Sequence, residues 1–310
     1  MSFLFWTIQL LCIPVLSPLM IGVVRKMKAR MQNRTGASIV QPYRDLWKLF
    51  NKDEVMSEDA SWVFRFAPYI VFAATLVVGA SIPLFFLMPG GNIMSDMLVI
   101  IYILALGTFF LALSGLDTGS GFGGFGASRE MTVAALAEGG MIFSLFVLAF
   151  AAGSTNLFSI VQSIATLPLV AFVPIIIAFV AFVIALLAET SRFPFDNPET
   201  HLELTMIHEA VIFEYSGKRL ALMEWASWSK FLIFLALGAN LFFPWGVAVS
   251  FSMGSIALAL CFFFGKVLLL GTFVSVLESS IAKLRFFRLP DLLFTSFILS
   301  IIALSLLIIA

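Results

Sequence analysis

The sequence predicts an all-α integral membrane protein with eight transmembrane helices, a cytoplasmic amphipathic helix and an acidic cytoplasmic loop. Composition is the first observation behind this prediction: 61% of the 310 residues are hydrophobic and 12% are charged, whereas soluble domains carry about 45–50% apolar and about 25% charged residues. The second observation is a series of eight apolar runs, each long enough to cross a bilayer as a helix. The third is that nearly all cations fall in alternate connections between those runs.

The eight apolar runs define the expected spans. Their length and continuity exclude a membrane β-barrel, whose strands alternate in hydrophobicity over about ten residues. The first charge of the chain is Arg25, so no basic segment precedes the first run and we expect no cleaved signal peptide. We expect spans near residues 3–24, 66–88, 97–116, 131–153, 167–188, 231–249, 251–277 and 290–310.

The distribution of Lys and Arg predicts the orientation. One cation, Lys266, lies inside the seventh run. By the positive-inside rule the cation-rich connections are cytoplasmic, which places both termini on the outer side. The chain then forms a single multi-pass domain over 1–310, in the cytoplasmic (inner) membrane. The other seventeen cations fall within the cytoplasmic loops 25–65, 117–130, 189–230 and 278–290.

The first cytoplasmic loop contains an expected amphipathic helix over residues 39–50. Pro42 suits its first turn, and the charged Arg44, Asp45 and Lys48 lie away from its apolar face. Such a helix would lie on the membrane and offer a platform to a soluble partner. A charge-rich loop held near anionic lipid is the alternative. The apolar face would consist of Ile39, Tyr43, Leu46, Trp47 and Phe50.

An acidic segment over residues 189–217 is the expected chemical centre. It has one nearby cation, Arg192, and Asn197 with Pro198 resembles a helix start. From there Glu199, Glu203, Ala210 and Glu214 would fall near one helical face. Crowding and burial raise carboxylate pKa values, which would allow proton uptake and release near neutral pH; a solvated acidic loop is the alternative. The segment's acids are Glu189, Asp196, Glu199, Glu203, Glu209 and Glu214.

Ionisable residues within or beside the apolar runs form a further candidate set. Glu138 lies inside the fourth run and Lys266 inside the seventh, while Glu189, Glu224 and Glu278 lie at run ends. Charges at lipid depth are energetically costly and normally mark ion paths. A structural pair, such as a neutral Lys266 bonded to a carboxylate, is the alternative.

Other motifs predict no catalytic, cofactor or metal site in this chain. The run GFGGFG at 121–126 follows a membrane helix instead of a strand, so we expect a tight loop there and no dinucleotide site. His208–Glu209 lacks the second histidine of a zinc-protease motif, and His201 and His208 have no obvious third ligand. Cys12 and Cys261 lie in apolar runs and are expected to be small buried hydrophobes.

Several of these segments together resemble the respiratory complex I subunit 1 family. The pattern AETSRFPFDNPE followed by EYSG resembles the acidic loop of that family. The QNR-x-G turn at 32–36 and the GASRE segment with Glu138 nine residues after Arg129 add to it. SGLDTG at 114–119 and the stretch ETSRFPFDNPETHLELTMIHEA are more similar to the membrane subunit of energy-converting group 4 nickel–iron hydrogenases. The R-x-GP turn of the family lacks its proline in this sequence. His201 occupies the position of the middle acid in the family's acidic loop.

This resemblance implies a subunit without a redox centre of its own. The nickel–iron centre and iron–sulfur clusters would belong to the hydrogenase large and small subunits, docked on the cytoplasmic face. Antiporter-like membrane subunits and lipid are the other implied partners, and no nucleic acid is expected. Docking would use Arg25, Arg34, Arg44, Arg129 and Arg192. Proton or sodium coupling would use Glu138, Glu189, Asp196, Glu199, Glu203, Glu214, Glu224 and Lys266.

Three other functions remain open at this point. A quinone-binding subunit of an NADH-quinone oxidoreductase has the same family pattern. A stand-alone ion transporter would require inverted repeats or paired broken helices, and neither is evident. A membrane-embedded hydrolase would require a nucleophile set that the sequence does not offer.

Overall fold

The computed structural model describes residues 2–87, 93–168, 172–197, 206–249 and 252–309. These residues are 77% helical and contain no strand. Eight helices are long and apolar enough to cross a membrane, which confirms the predicted number. They are α1 (Ser2–Met31), α3 (Trp62–Ser81), α4 (Met97–Asp117), α5 (Gly121–Ala152), α7 (Phe172–Glu189), α9 (Gly217–Leu241), α10 (Met253–Ser280) and α11 (Leu289–Ile309).

Three shorter helices lie in the connections. Helix α2 (Gln41–Phe50) forms where an amphipathic helix was expected, with Leu46 buried against the bundle and Trp47 exposed. Helix α6 (Leu157–Ile164) lies in the connection between α5 and α7. Helix α8 (His208–Ile212) lies within the acidic segment. Whether α2 lies on the membrane surface stays a prediction.

Helix α5 begins ten residues earlier than the predicted span, and this corrects the expectation of a loop at 121–126. The Ser120 hydroxyl accepts a hydrogen bond from the Gly123 amide and caps the helix. A Cβ at Gly123 would overlap the carbonyl oxygen of Gly115 in α4, and a Cβ at Gly126 would lie 2.8 Å from Cβ of Ala210 in α8. The glycines therefore allow α5 to pack closely against α4 and α8.

Helix α9 also departs from the predicted span at 231–249. It begins at Gly217 and ends at Leu241. Glu224 and Lys230, assigned from the sequence to a cytoplasmic loop, therefore lie inside a membrane helix. At 1.5 Å per residue, Lys230 is about 20 Å from the start of α9.

The connections divide between two ends of the bundle. At one end, here called the charged end, the Ser216 hydroxyl donates to the Val55 carbonyl over 2.8 Å and the Leu284 amide donates to the Pro194 carbonyl over 3.0 Å. At the opposite end, the Leu87 amide donates to the Ala248 carbonyl over 2.9 Å. The connections alternate between the two ends as the cation pattern predicts, whereas the side of the membrane that each end faces stays a prediction.

The core lies where α5 packs against α4, α7 and α11, and where α9 packs against α1 and α3. Helix α9 is the most enclosed span. Helices α10 and α11 expose most of their apolar side chains, a surface suited to lipid or to neighbouring membrane helices.

Candidate functional site

The charged end encloses a cluster of buried ion pairs, one of which joins Lys230 and Glu189. Lys230 Nζ in α9 lies 2.8 Å from Glu189 Oε2 at the end of α7, and it also donates to the Thr108 hydroxyl over 3.1 Å. The other carboxylate oxygen of Glu189 is buried and has no hydrogen-bond partner. A buried carboxylate with one free oxygen is able to accept a water molecule or a proton.

His208 and Glu130 form a second pair. His208 Nδ1 in α8 lies 3.8 Å from Glu130 Oε1 in α5, close enough for the carboxylate to favour the charged form of the imidazole. Burial lowers the pKa of His208, but the interaction with Glu130, joined by the charges of Glu209 and Glu224, outweighs burial and raises the pKa to about 9. The imidazole is therefore charged at neutral pH.

The two pairs line one cavity, here called the first cavity. Its volume is about 40 Å³, which is room for a few water molecules. Glu130, Glu189, His208 and Lys230 all contribute to its wall. A second cavity of about 70 Å³ lies beside it, with Arg25, Lys28, Glu209, Glu224 and Trp228 in its wall.

A third cluster joins α1, α10 and the segment after α7. The Glu278 carboxylate lies 3.0 Å from Lys28 Nζ and 3.0 Å from Arg192 Nη1. The Arg192 guanidinium also stacks over the Phe231 ring at 3.8 Å. All three charged side chains are largely buried, so each charge depends on its partners for stabilisation.

Asp196 connects the two parts of the acidic segment that lie on either side of residues 197–206, a junction here called the neck. Its Oδ2 accepts hydrogen bonds from the Ile207 and His208 amides, and its Oδ1 lies 2.6 Å from Lys283 Nζ. The carboxylate therefore joins the residues at 196 to those at 207–208 and connects both to the residues after α10. Glu199 and Glu203 lie outside the described residues.

The continuous helix that the sequence predicted through Glu214 does not form. Helix α8 ends at Ile212, and the Tyr215 amide turns back to the Ile212 carbonyl. The Tyr215 hydroxyl donates to the Phe64 carbonyl over 3.0 Å and draws the chain towards α3. This long-range contact replaces the local helical hydrogen bonds, and Glu214 lies in the turn.

The remaining predicted coupling residues occupy different places. Glu138 lies in α5, half-buried, and no described residue forms a hydrogen bond or ion pair with its carboxylate; Glu189 and Lys230 are the charges that act on it. Glu224 lines the second cavity. Lys266 lies apart from the cluster, where it donates to Asn240 Oδ1 and to the Phe243 and Trp245 carbonyls after α9. These bonds stabilise the Lys266 ammonium within the bundle, and its part in an ion path stays a prediction.

The five arginines expected to dock partners fall into two groups. Arg25, Arg34 and Arg44 are exposed. Arg129 instead donates to the Met206 carbonyl over 3.1 Å, and Arg192 bonds Glu278. Arg129 and Arg192 are only partly exposed, so the first three arginines are the more accessible to a partner.

The sequence reasoning missed Glu130, His208 and Lys230 as members of the site. The charges of Lys218 and Arg219 made the start of α9 resemble a loop, and Lys230 was therefore assigned to that loop. A helix predicted to begin at Gly217 would have placed Lys230 deep in a span. Among the described residues, no group of three metal-ligating side chains occurs.

Fold and site together define a polytopic helical membrane protein with buried, paired charges at one end, features typical of ion-coupled membrane subunits. A family model described as NADH dehydrogenase matches residues 5–310. The chain belongs to the NADH dehydrogenase subunit 1 family.

Two relatives from Escherichia coli (strain K12) are similar over nearly the whole chain. Hydrogenase-4 component C is 37% identical over 301 residues, covering 95% of this chain and 92% of the relative. Formate hydrogenlyase subunit 4 is 34% identical over 297 residues, covering 96% of each. A chain of the membrane-bound sulfane sulfur reductase, an archaeal respiratory membrane complex, has a TM-score of 0.78 at 20% identity and covers 98% of this chain and 99% of that one. This last likeness shows a shared fold.

Proposed function

We propose that this chain is the membrane subunit, without a redox centre of its own, of a group 4 nickel–iron hydrogenase or a closely related respiratory assembly. The observation that carries the proposal is similarity to two hydrogenase-type membrane subunits over more than nine-tenths of each chain. In that assembly the chain anchors the soluble electron-transfer subunits and couples their redox chemistry to proton or sodium movement.

Anchoring is assigned to the charged end. Arg25, Arg34 and Arg44 are exposed there and suit acidic surfaces of the hydrogenase large subunit and the iron–sulfur small subunit. Those partners would hold the nickel–iron centre and the clusters.

Coupling is assigned to the acids that the sequence singled out. Asp196, Glu199, Glu203 and Glu214 would respond to redox chemistry at the docked subunits. Their change in charge would influence Glu189 and then Glu138, on which Glu189 and Lys230 act electrostatically. Antiporter-like membrane subunits would receive it beyond Glu138.

Replacement of Glu138 by Gln tests this proposal. The variant removes the ionisable group and keeps the shape, so we expect redox-linked proton or sodium movement to fall by about 100-fold, the scale of a lost proton-transfer group. The measurement is ion movement per redox turnover of the assembled complex in sealed vesicles. Glu58→Gln, at an exposed site before α3, is the matched control. Full coupling in Glu138→Gln would exclude this residue from the path.

Quinone binding is the second candidate function, favoured by the family match. A quinone-analogue inhibitor that competes with the electron acceptor of the purified complex would support it. An assembly that releases hydrogen and is insensitive to such an inhibitor would support the hydrogenase assignment.

A further inference from the structure

The first and second cavities share a wall. Four residues line both of them: Thr190, Ser191, His208 and Ser227. Among these, only His208 carries an acid–base group, since the other three side chains end in hydroxyl groups. The imidazole therefore stands between a cavity that holds Glu189 and Lys230 and one that holds Glu209 and Glu224.

The position of His208 is fixed by its backbone and side chain together. Asp196 accepts the His208 amide over 3.1 Å, and Glu130 faces Nδ1 at 3.8 Å. An imidazolium is able to release the proton of one ring nitrogen, and the bare nitrogen is then able to accept another proton. This chemistry suits a residue exposed to two separate cavities.

The first cavity contains a group able to receive the proton. Glu189 is 7% exposed, and its Oε1 has no partner while Lys230 bonds its Oε2. The cavity has room for water between His208 and Glu189. A buried oxygen without a partner indicates a missing hydrogen-bond donor, which ordered water would supply.

We propose that His208 is a proton-transfer residue that passes protons from the second cavity to Glu189 through water in the first cavity. The inference rests on the proposed coupling function and names the group through which protons enter. The N–H bond facing the first cavity breaks as an O–H bond forms on cavity water, which releases another proton to Glu189 Oε1. The neutral imidazole keeps the proton on its other nitrogen; once the ring turns about its Cβ–Cγ bond, the bare nitrogen faces the second cavity and regains a proton there. One proton moves and no electron does.

The charges around His208 keep a proton available. The acids raise the pKa of His208 to about 9, so the ring is loaded at neutral pH. Protonation of Glu189 leaves Lys230 without its counter-charge, and this change acts on Glu138. The titratable and charged groups of the surrounding elements are Glu130 of α5, Glu189 of α7, Glu209 of α8, Glu224 and Lys230 of α9, Arg25 and Lys28 of α1, and Arg192 and Asp196 of the segment after α7.

Infrared difference spectroscopy of the purified complex tests the loading step without reliance on redox coupling. Subtraction of the His208→Gln spectrum isolates the imidazolium band, and His201→Gln removes the only other histidine of this chain. We expect the band to disappear with a midpoint near pH 9 and the midpoint to move towards about 6.5 in Glu130→Gln. A wild-type midpoint near 6.5 would overturn the proposal.

Chemical rescue tests the transfer step. We expect proton movement per turnover to fall by about 100-fold in His208→Ala and to recover when imidazole is added, with His201→Ala as the control. A loss that imidazole does not restore would indicate a positioning role and overturn the proposal. If His208→Ala does not assemble, His208→Gln replaces it: slowed proton movement supports the proposal, and full coupling overturns it.

Comparison with Glu138→Gln separates this inference from the proposed function. If Glu138→Gln loses coupling and His208→Ala keeps it, only the inference about His208 fails. If both variants retain full coupling, both fail.

Discussion

Each buried charge at the charged end has its counter-charge on a different element. Glu189 of α7 pairs with Lys230 of α9, Glu278 of α10 pairs with Lys28 of α1, and Glu130 of α5 faces His208 of α8. Removal of one partner leaves a charge in a low-dielectric interior, which is costly. The protonation state of one side chain is thereby linked to the packing of two elements.

Replacement of Lys230 by Met tests this linkage. We expect the free energy of unfolding to fall by about 3–5 kcal/mol, because Glu189 becomes an uncompensated buried charge. Thermal unfolding of the purified protein in detergent measures the change.

The matched control for Lys230→Met neutralises both partners. Lys230→Met combined with Glu189→Gln should regain most of the lost stability, since no charge is then left unpaired. Equal stability losses in the single and double variants would contradict the pairing.

The stability of the protein should also depend on pH through His208. Its folded pKa, about 9, lies above the ordinary value of about 6.5. The charged ring therefore contributes stability that is fully present below pH 6.5 and is lost as pH rises through 9, by about 3 kcal/mol in total. Melting temperatures at pH 6 and pH 10 should differ more in the wild type than in His208→Gln. An equal difference in both proteins would show that other groups cause the pH dependence.

At the scale of elements, hydropathy predicted how many spans form but not where two of them begin. A window of apolar residues detects the part of a helix that lies in lipid. The starts of α5 and α9 contain glycines or charges, and their helical state depends on packing against other helices. The burial of Gly126 against Ala210 and of Lys230 against Glu189 involves residues distant in sequence, so a local pattern does not reveal it.

The acidic segment shows the same limit. Its composition identified the region correctly, but Asp196 was interpreted as one acid among six. The structure instead places its carboxylate between the Ile207 and His208 amides and Lys283. Bonds to residues more than ten positions away and to another connection leave no periodic signal in the sequence.

Replacement of Asp196 by Asn should loosen this neck. The variant removes the charge that Lys283 and the two amides share, and each hydrogen bond to a charged group contributes about 1.5–3 kcal/mol. We expect hydrogen exchange at the Ile207 and His208 amides to accelerate by about 10- to 100-fold. Exchange measured by mass spectrometry on peptides spanning 206–212 checks this, with Asp291→Asn at the start of α11 as the control. Unchanged exchange would show that Asp196 does not hold the neck.

At the scale of the whole molecule, the cation count predicted which connections lie together. The structure joins the cation-rich connections at one end of the bundle and the short connections at the other. The count succeeded because it depends on insertion into a membrane and not on side-chain packing.

Cysteine labelling tests the predicted orientation. With Cys12 and Cys261 replaced by Ser, a cysteine at Glu58 at the charged end should react with a membrane-impermeant maleimide only when the cytoplasmic face is accessible. A cysteine at Ala165, exposed at the opposite end, should react only from the outer face. The reverse pattern would place both termini in the cytoplasm.

The opposite end of the bundle has a consequence for the route that ions take. Residues 82–87 are buried there, Asn240 bonds the Pro83 and Leu84 carbonyls, and Ala248 bonds the same stretch. Under the proposed coupling, a proton that enters at the charged end would therefore leave the bundle sideways, past Glu138 of α5. A neighbouring membrane subunit would then have to continue the route.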